Sequence, residues 1–432
     1  VKVAALAATV VALLAAAVPR GAGPAQPGTG ALSAPAPLAQ VPAFPADTAN
    51  GCLACHAAER QAATEGVHAQ HGVTCVSCHG GDPTARTLPA GHSGHFLGTP
   101  DKVATAELCG SCHSDPNKMR EYGLPTGQLA QFRTSQHGRL LFGQHNDDVP
   151  TCTDCHGTHI IYPPYDARSR VYPSNIPGTC AHCHSDQKLM AKYRLRTDQF
   201  EQYQRSAHGV ALFQDQNFAA PTCVGCHGAH SELPPTVTEI ASVCGRCHVL
   251  VEQQFALGPH GPAARAGKLP GCLGCHSNHG TEPVPADSIS ATCTKCHATN
   301  SKVHQFADDL QHRMVQATAD IQSAQRAISE LAAAGERVGY YRFRYQSALT
   351  YYRQIAEKQH RLNLDTLDAL ALRVRSVSVD LDAQAEASRE NRWEHRLLLL
   401  PVWFLSLSAV ALALLALRSL RGTGESSDTP ET

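Results

Sequence analysis

The sequence predicts a mostly α-helical chain with extensive loop, laid out as a motif-rich array, a long helical hairpin and one C-terminal transmembrane helix. Three observations carry this reading. The motif Cys-x-x-Cys-His recurs nine times between Cys52 and His297. A cysteine-free segment rich in Ala, Leu, Gln and Arg follows, with apolar residues in alternating steps of four and three. Finally, Leu397 to Leu417 is a 21-residue run without charge, long enough to cross a bilayer as a helix.

The nine motifs take up all 18 cysteines. Their first cysteines are Cys52, Cys75, Cys109, Cys152, Cys180, Cys223, Cys244, Cys272 and Cys293. Their second are Cys55, Cys78, Cys112, Cys155, Cys183, Cys226, Cys247, Cys275 and Cys296. Each copy ends in a histidine: His56, His79, His113, His156, His184, His227, His248, His276 and His297. This is the attachment spacing of c-type haem: two thiols add across the vinyl groups and the histidine takes the iron from below. Structural zinc would pair motifs into four-ligand sites, which an odd count does not allow. A disulfide framework would show varied spacings. Thioredoxin-like chemistry needs one such motif on a βαβ unit. Nine covalent haem c groups are therefore expected.

Composition bounds the rest. The formal charge is -1 and aromatic residues make up 6%. Haem propionates make the assembled protein more acidic than this, and no basic stripe points to nucleic acid. The motif region is rich in Gly, Pro, Thr and His, so porphyrins are expected to supply much of its buried apolar surface. Without them this region is expected to be largely unfolded.

An internal repeat organises the motifs. Residues 109–164 align without a gap on 180–235, an offset of 71. Within it His137-Gly matches His208-Gly, and Pro150-Thr-Cys-Thr-Asp-Cys-His-Gly-Thr-His159 matches Pro221-Thr-Cys-Val-Gly-Cys-His-Gly-Ala-His230. A shorter copy spans Cys272 to Cys293, and a degenerate one holds Cys75 and Cys109. The layout is one leading haem at Cys52 and four two-haem units. Each regular unit offers a histidine before its first motif (His137, His208, His260) and one after it (His159, His230, His279). With His68, His71 and either His92 or His95, the distal histidines number nine. Bis-histidine ligation throughout, low potentials and no open iron follow from that match. His145, His304, His312 and His360 are spare in this count, with His360 left open as a late distal ligand, and Met119 and Met190 are read as packing residues.

Beyond Cys296, the seam Leu310, Met314, Ala317, Ile321, Ala324, Ile328, Leu331 is broken at Gly335 and Gly339 and resumes at Leu367, Leu370, Val374, Val377, Leu381. A helical hairpin or coiled-coil stalk over residues 301–395 follows, and it offers a surface for oligomerisation. At the N-terminus, residues 1–18 read as a secretory signal peptide and 19–47 as a disordered Pro/Ala-rich linker. The nine-haem domain is placed at 48–300, the transmembrane helix at 397–417 with Pro401 in its first turn, and the cytoplasmic tail at 418–432. Because c-type haem is attached outside the cytoplasmic membrane, the array is expected in the periplasm.

These residues resemble the large multihaem cytochrome c superfamily with doubled CxxCH motifs. They are most like bacterial exported cytochromes that carry Ser-x-His-Gly ahead of Cys-x-x-Cys-His-Gly-x-His. The resemblance covers residues 52–300 strongly and the helical tail loosely. It implies a periplasmic, C-terminally anchored electron conduit. Its partners would be the inner membrane, a quinol-oxidising or cytochrome b-type membrane protein, and other periplasmic or outer-membrane cytochromes. The alternative is a haem-based oxidoreductase of nitrogen or sulfur compounds, of the nitrite or hydroxylamine type, with one five-coordinate iron. The chain lacks the Cys-x-x-Cys-Lys variant of nitrite reductases, and the histidine count leaves no iron open.

Overall fold

The computed structural model describes residues 50–422 apart from 237 and 270. The expected signal peptide, the whole linker and most of the tail lie outside the described residues. Every regular element among the described residues is helical, with no strand.

The helices fall into two populations. In the motif region most run between three and nine residues, with the twelve-residue Lys102–His113 the longest. Helices this short are marginal on their own, because nucleation consumes most of what a few hydrogen bonds return. Buried apolar side chains are scattered along this region, as at Leu53, Met119, Leu141, Met190 and Leu212, and do not form one cluster. Ties between distant segments hold the short pieces instead. Lys102 donates to the carbonyls of Asp147 and Val149 at 2.8 and 2.7 Å. Tyr193 donates to Asp148 at 3.0 Å, and Tyr203 to the carbonyl of Pro221 at 3.0 Å.

The C-terminal part is built differently. Helix α1 is Lys302–Ala333, α2 is Gly339–Lys358 and α3 is Leu364–Gly422. The expected hairpin is thus a three-helix bundle, because α2 turns back and α3 turns again. Gly335, at φ 83, makes the first reversal, and Leu362, at φ 57, the second. The seam residues read from sequence are the core: Leu331 is 1% exposed, and Val374 and Leu381 are fully buried. Ala348 and Ile355 of α2 close the third side. Polar ties fix the register. Arg313 donates to Asp368 at 2.6 and 3.2 Å, Ser323 to Asp382 at 3.0 Å, and Arg389 lies 3.6 Å from Glu330. Rising numbers pair with rising numbers, so α1 and α3 run parallel with α2 antiparallel between them.

One end of the bundle abuts the motif region. The turn Gln359–Arg361 packs on the helix Val249–Leu257. Gly258 permits this approach: a Cβ there would lie 3.0 Å from the His360 carbonyl oxygen. At the other end α3 runs on past its partners. It is the one helix among the described residues long and apolar enough to cross a membrane. Its leucines from Leu397 to Leu417 are half to three-quarters exposed. Pro401 does not open a new helix, as expected, but sits inside a continuous one. It costs the hydrogen bond to the Leu397 carbonyl without ending the element.

Truncating a core residue of the bundle separates its packing from mere helicity. Leu381→Ala is expected to cost about 2–5 kcal/mol. Leu372→Ala, on an exposed face of the same helix, should stay within about 0.5 kcal/mol. Denaturant unfolding followed by circular dichroism checks both.

Candidate haem-ligating histidine pairs

Several motifs build one helical turn from their own letters. Thr74 and Thr151 precede Cys75 and Cys152 and accept the N–H of the third helical residue. Ser77 and Asp154 accept the threonine N–H in return, at 3.1 and 2.8 Å. Gly80, Gly157 and Gly228 end the turn after the histidine at φ 69, 95 and 88, where a side chain is disfavoured. One turn of helix places residues three and four apart on one face, so both thiols and the imidazole of a motif point the same way.

The histidines before the motifs have their own frame. Ser135 caps the helix Gln136–Gln144, accepting from Gly138 N–H at 2.9 Å and donating to the Phe132 carbonyl at 2.7 Å. Ser206 repeats this with Gly209 N–H and the Tyr203 carbonyl. The glycine of Ser-x-His-Gly is required by space. A Cβ on Gly138 would fall 1.8 Å from the Phe132 oxygen, and one on Gly209 would fall 1.9 Å from that of Tyr203. Gly261 is equally constrained after His260 by the Ala256 oxygen, at 2.4 Å.

Every motif histidine faces one other histidine, with ring centres 6.0–6.3 Å apart. In chain order His56 faces His92, His79 faces His159 and His113 faces His68. His156 faces His230, His184 faces His137 and His227 faces His279. His248 faces His208, His276 faces His360 and His297 faces His260.

Two expectations change here. His71 stands against Tyr122, with ring centres 4.8 Å apart, and faces no motif histidine. Its place in the set is taken by His360, from the turn between α2 and α3. His68 is the counterpart of His137 and His208, as the backbone shows: Val67, Gln136 and Ala207 donate to the carbonyls of Ile161, Glu232 and Thr281. The histidines after the motifs are also shifted by one unit. His159, His230 and His279 each reach back to the preceding copy instead of serving their own. His276, in the last copy, has no following copy to draw on, and His360 fills that position. His92 is the one that faces His56, with its ring stacked on Phe96.

The donor chemistry suits a metal held axially. An imidazole nitrogen lies about 1.15 Å from its ring centre and about 2.0 Å from a bound metal, so two rings across one metal have centres about 6.3 Å apart. Among the described residues no three His, Cys, Asp or Glu side chains converge as a protein-built metal site. Two opposed imidazoles alone are the arrangement for a metal whose equatorial ligands come from a macrocycle. Hydrogen bonds also set the tautomers. His79, His276 and His360 place Nδ1 at 2.9, 2.8 and 3.1 Å from the carbonyls of Gly98, Glu282 and Glu357. A carbonyl only accepts, so Nδ1 carries the proton and Nε2 is left bare. His137 and His159 place Nδ1 2.8 Å from the carboxylates of Glu232 and Glu59. Burial lowers the pKa of His156, His184, His230 and His360 among others, favouring the neutral, metal-binding form.

Each motif lies close enough to the next in sequence for their thiols to perturb one another. Cys109, Cys180 and Cys272 are each pushed well up by a hydrogen-bonded thiol of the adjoining motif, Cys152, Cys223 and Cys244 respectively, and by burial. Burial and then Cys75 raise Cys52. The remaining junctions appear in Cys78, raised by burial and Cys112, and Cys155, raised to about 12 by burial and Cys180. Burial with Cys244 raises Cys226, and burial with Cys275 raises Cys293. A cavity of about 710 Å³ opens beside His279, walled by Arg194, Arg196 and Arg205. It is of cofactor size, and Asp198 and Glu282 line it as well, with Arg196 paired to Asp198 and Arg205 to Glu201.

No protein-family model, curated protein or solved structure matches the chain.

The glycine after the histidine gives a direct test of the frame. Gly138→Ala is expected to cost about 1–3 kcal/mol through the clash with Phe132. Gly143→Ala lies in the same helix with nothing within 4 Å of its Cβ and should gain about 0.5–1 kcal/mol. Thermal unfolding of the two variants reads the opposite signs.

Proposed function

We propose that this chain is a nine-haem c-type cytochrome acting as an electron carrier, anchored in the inner membrane by α3 with its array in the periplasm. The single observation behind this is the complete pairing: nine motif histidines, nine partners, one spacing. The two cysteines of each motif would hold the group through thioethers, and its histidine with the opposed one would close the axial positions. Haem c supplies, at each such site, a one-electron iron couple and a large apolar ring.

The chain's own residues favour a carrier over a catalyst. An oxidoreductase of the nitrite or hydroxylamine type needs one iron with a free axial position, hence one motif histidine without a partner. Here His276, the motif left over by the repeat, is closed by His360. The closeness of successive motifs provides the spacing that transfer between neighbouring centres requires. Porphyrin rings would also supply the core that the scattered side chains of the motif region do not.

The membrane reading rests on α3, whose leucines from Leu397 to Leu417 are exposed. From Leu364 to Leu397 the helix rises about 50 Å at 1.5 Å per residue. The His276–His360 end of the array is therefore separated from the apolar run by the length of the bundle. A quinol-oxidising or cytochrome b-type partner would have to rise alongside it, or deliver electrons elsewhere on the array. Other periplasmic or outer-membrane cytochromes are the proposed exchange partners at the far end.

Electron paramagnetic resonance of the oxidised full-length protein tests the reading. Only low-spin signals are expected, with nine haems per chain by pyridine haemochrome. A substantial high-spin signal that responds to nitrite or hydroxylamine would favour the enzyme. His360→Ala should convert about one-ninth of the low-spin intensity to high-spin, because one motif histidine then lacks its partner. His71→Ala should leave the spectrum unchanged.

A further inference from the structure

Ile161, Glu232 and Thr281 occupy the same place in three copies of the repeat. Each lies five residues after a motif histidine, and each accepts, through its carbonyl, the N–H of the residue before a partner histidine: Val67, Gln136 and Ala207 at 2.7, 3.1 and 3.0 Å. The backbone thus needs nothing particular from the side chain at this position. Only Glu232 brings a carboxylate. Its Oε1 lies 2.8 Å from His137 Nδ1, and the side chain is 18% exposed. That oxygen is buried and has no hydrogen-bond partner, so its approach to Nδ1 is a close charge contact and not an aligned hydrogen bond. The glutamate also stands near His230 and near Cys155 and Cys180, whose thiols it helps to raise. It sits where the fourth and fifth motifs meet, in the middle of the array. Glu59, the other carboxylate on a histidine Nδ1, is 43% exposed, so solvent screens its charge.

We propose that Glu232 is a positioning residue that anchors the His137 imidazole through Nδ1. Its negative charge lowers the reduction potential of the centre closed by His137 and His184 below that of its repeat counterparts. This rests on the nine-haem reading. Reduction at that centre adds one electron to the iron and breaks no bond. A partly buried negative charge 2.8 Å from the ligand's Nδ1 opposes the added charge. At His68 and His208 the equivalent side chains, Ile161 and Thr281, carry no charge. The centre in the middle of the array therefore differs electrically from equivalents with the same backbone.

The test is a spectroelectrochemical titration of the full-length protein with dithionite as reductant, comparing wild type with Glu232→Gln and with Glu232→Thr, the latter copying Thr281. In both variants about one-ninth of the haem absorbance should leave the low-potential limb. It should reappear with a tenfold change in its reduction equilibrium, about 59 mV higher for one electron. The haem count should remain nine and the spectrum low-spin. Titration curves that superimpose on wild type, with nine haems retained, would overturn the role of Glu232 and leave the cytochrome reading intact. A wild-type chain exported and matured without covalent haem would overturn both. If Glu232→Gln loses haem, Glu232→Thr decides, since it places in this site a residue that the same backbone already accepts.

Discussion

The arrangement depends on one spacing: two imidazole rings held opposite each other, 6.0–6.3 Å apart, repeated nine times. Direct ring packing would bring the centres closer, as it does for His92 on Phe96 at 4.2 Å. The width stays constant while the ring planes turn from 8° to 59° against each other, so ring stacking does not set it. In the proposed reading an iron atom does, and the motif region is built around it. Helices of a few residues have no independent stability, and no continuous side-chain core supports them. Each histidine pair instead ties a motif to a segment up to 84 residues away in sequence, as His276 is tied to His360.

The direction of those ties explains why the array does not fall apart into separate units. Were each copy of the repeat to close its own centres, successive copies would be beads on a chain. Instead His159, His230 and His279 each reach back one copy, while the backbone bond from Gln136 to Glu232 or from Ala207 to Thr281 stitches the same two copies together. An interlocked repeat of this kind couples nearest neighbours and gains stability along its length. It also has an end problem: the last copy has a motif histidine and no successor. The turn at Gln359–Arg361 meets that need with His360, and Gly258 leaves the room for it.

Much of this was legible in the sequence. The sequence names seven of the nine partner histidines, narrows an eighth to His92 or His95, and marks nearly all of the bundle core through its heptad seam. What escaped was which copy each histidine serves. Alignment of repeats establishes equivalence of positions, and equivalence is unchanged when every partner is shifted by one copy. The shift shows only at the ends, where His71 becomes surplus and His360 becomes necessary. His360 carries no local signal: no glycine follows it, and no motif lies within 60 residues. Its position just before the chain reverses into α3 is a property of tertiary structure. The third helix was missed for a related reason. Gly335 and Gly339 mark one reversal clearly, whereas Leu362 enters the left-handed region without a glycine to announce it.

His360 also changes what the bundle is for. A stalk joined to the array only through the backbone at 298–301 would leave the last centre free to swing. With the turn docked on Val249–Leu257 and its imidazole opposed to His276, the bundle holds the array at a second point. The same α3 that begins two residues after that turn carries the apolar run at its far end. Arg313–Asp368 and Ser323–Asp382 lock α3 to α1 along the way, so the three helices act as one rigid strut. The turn that carries His360 thus belongs to the same packed bundle as the apolar helix, and that bundle also meets the motif region at Ser290, which bonds Gln311 and Asp308 of α1.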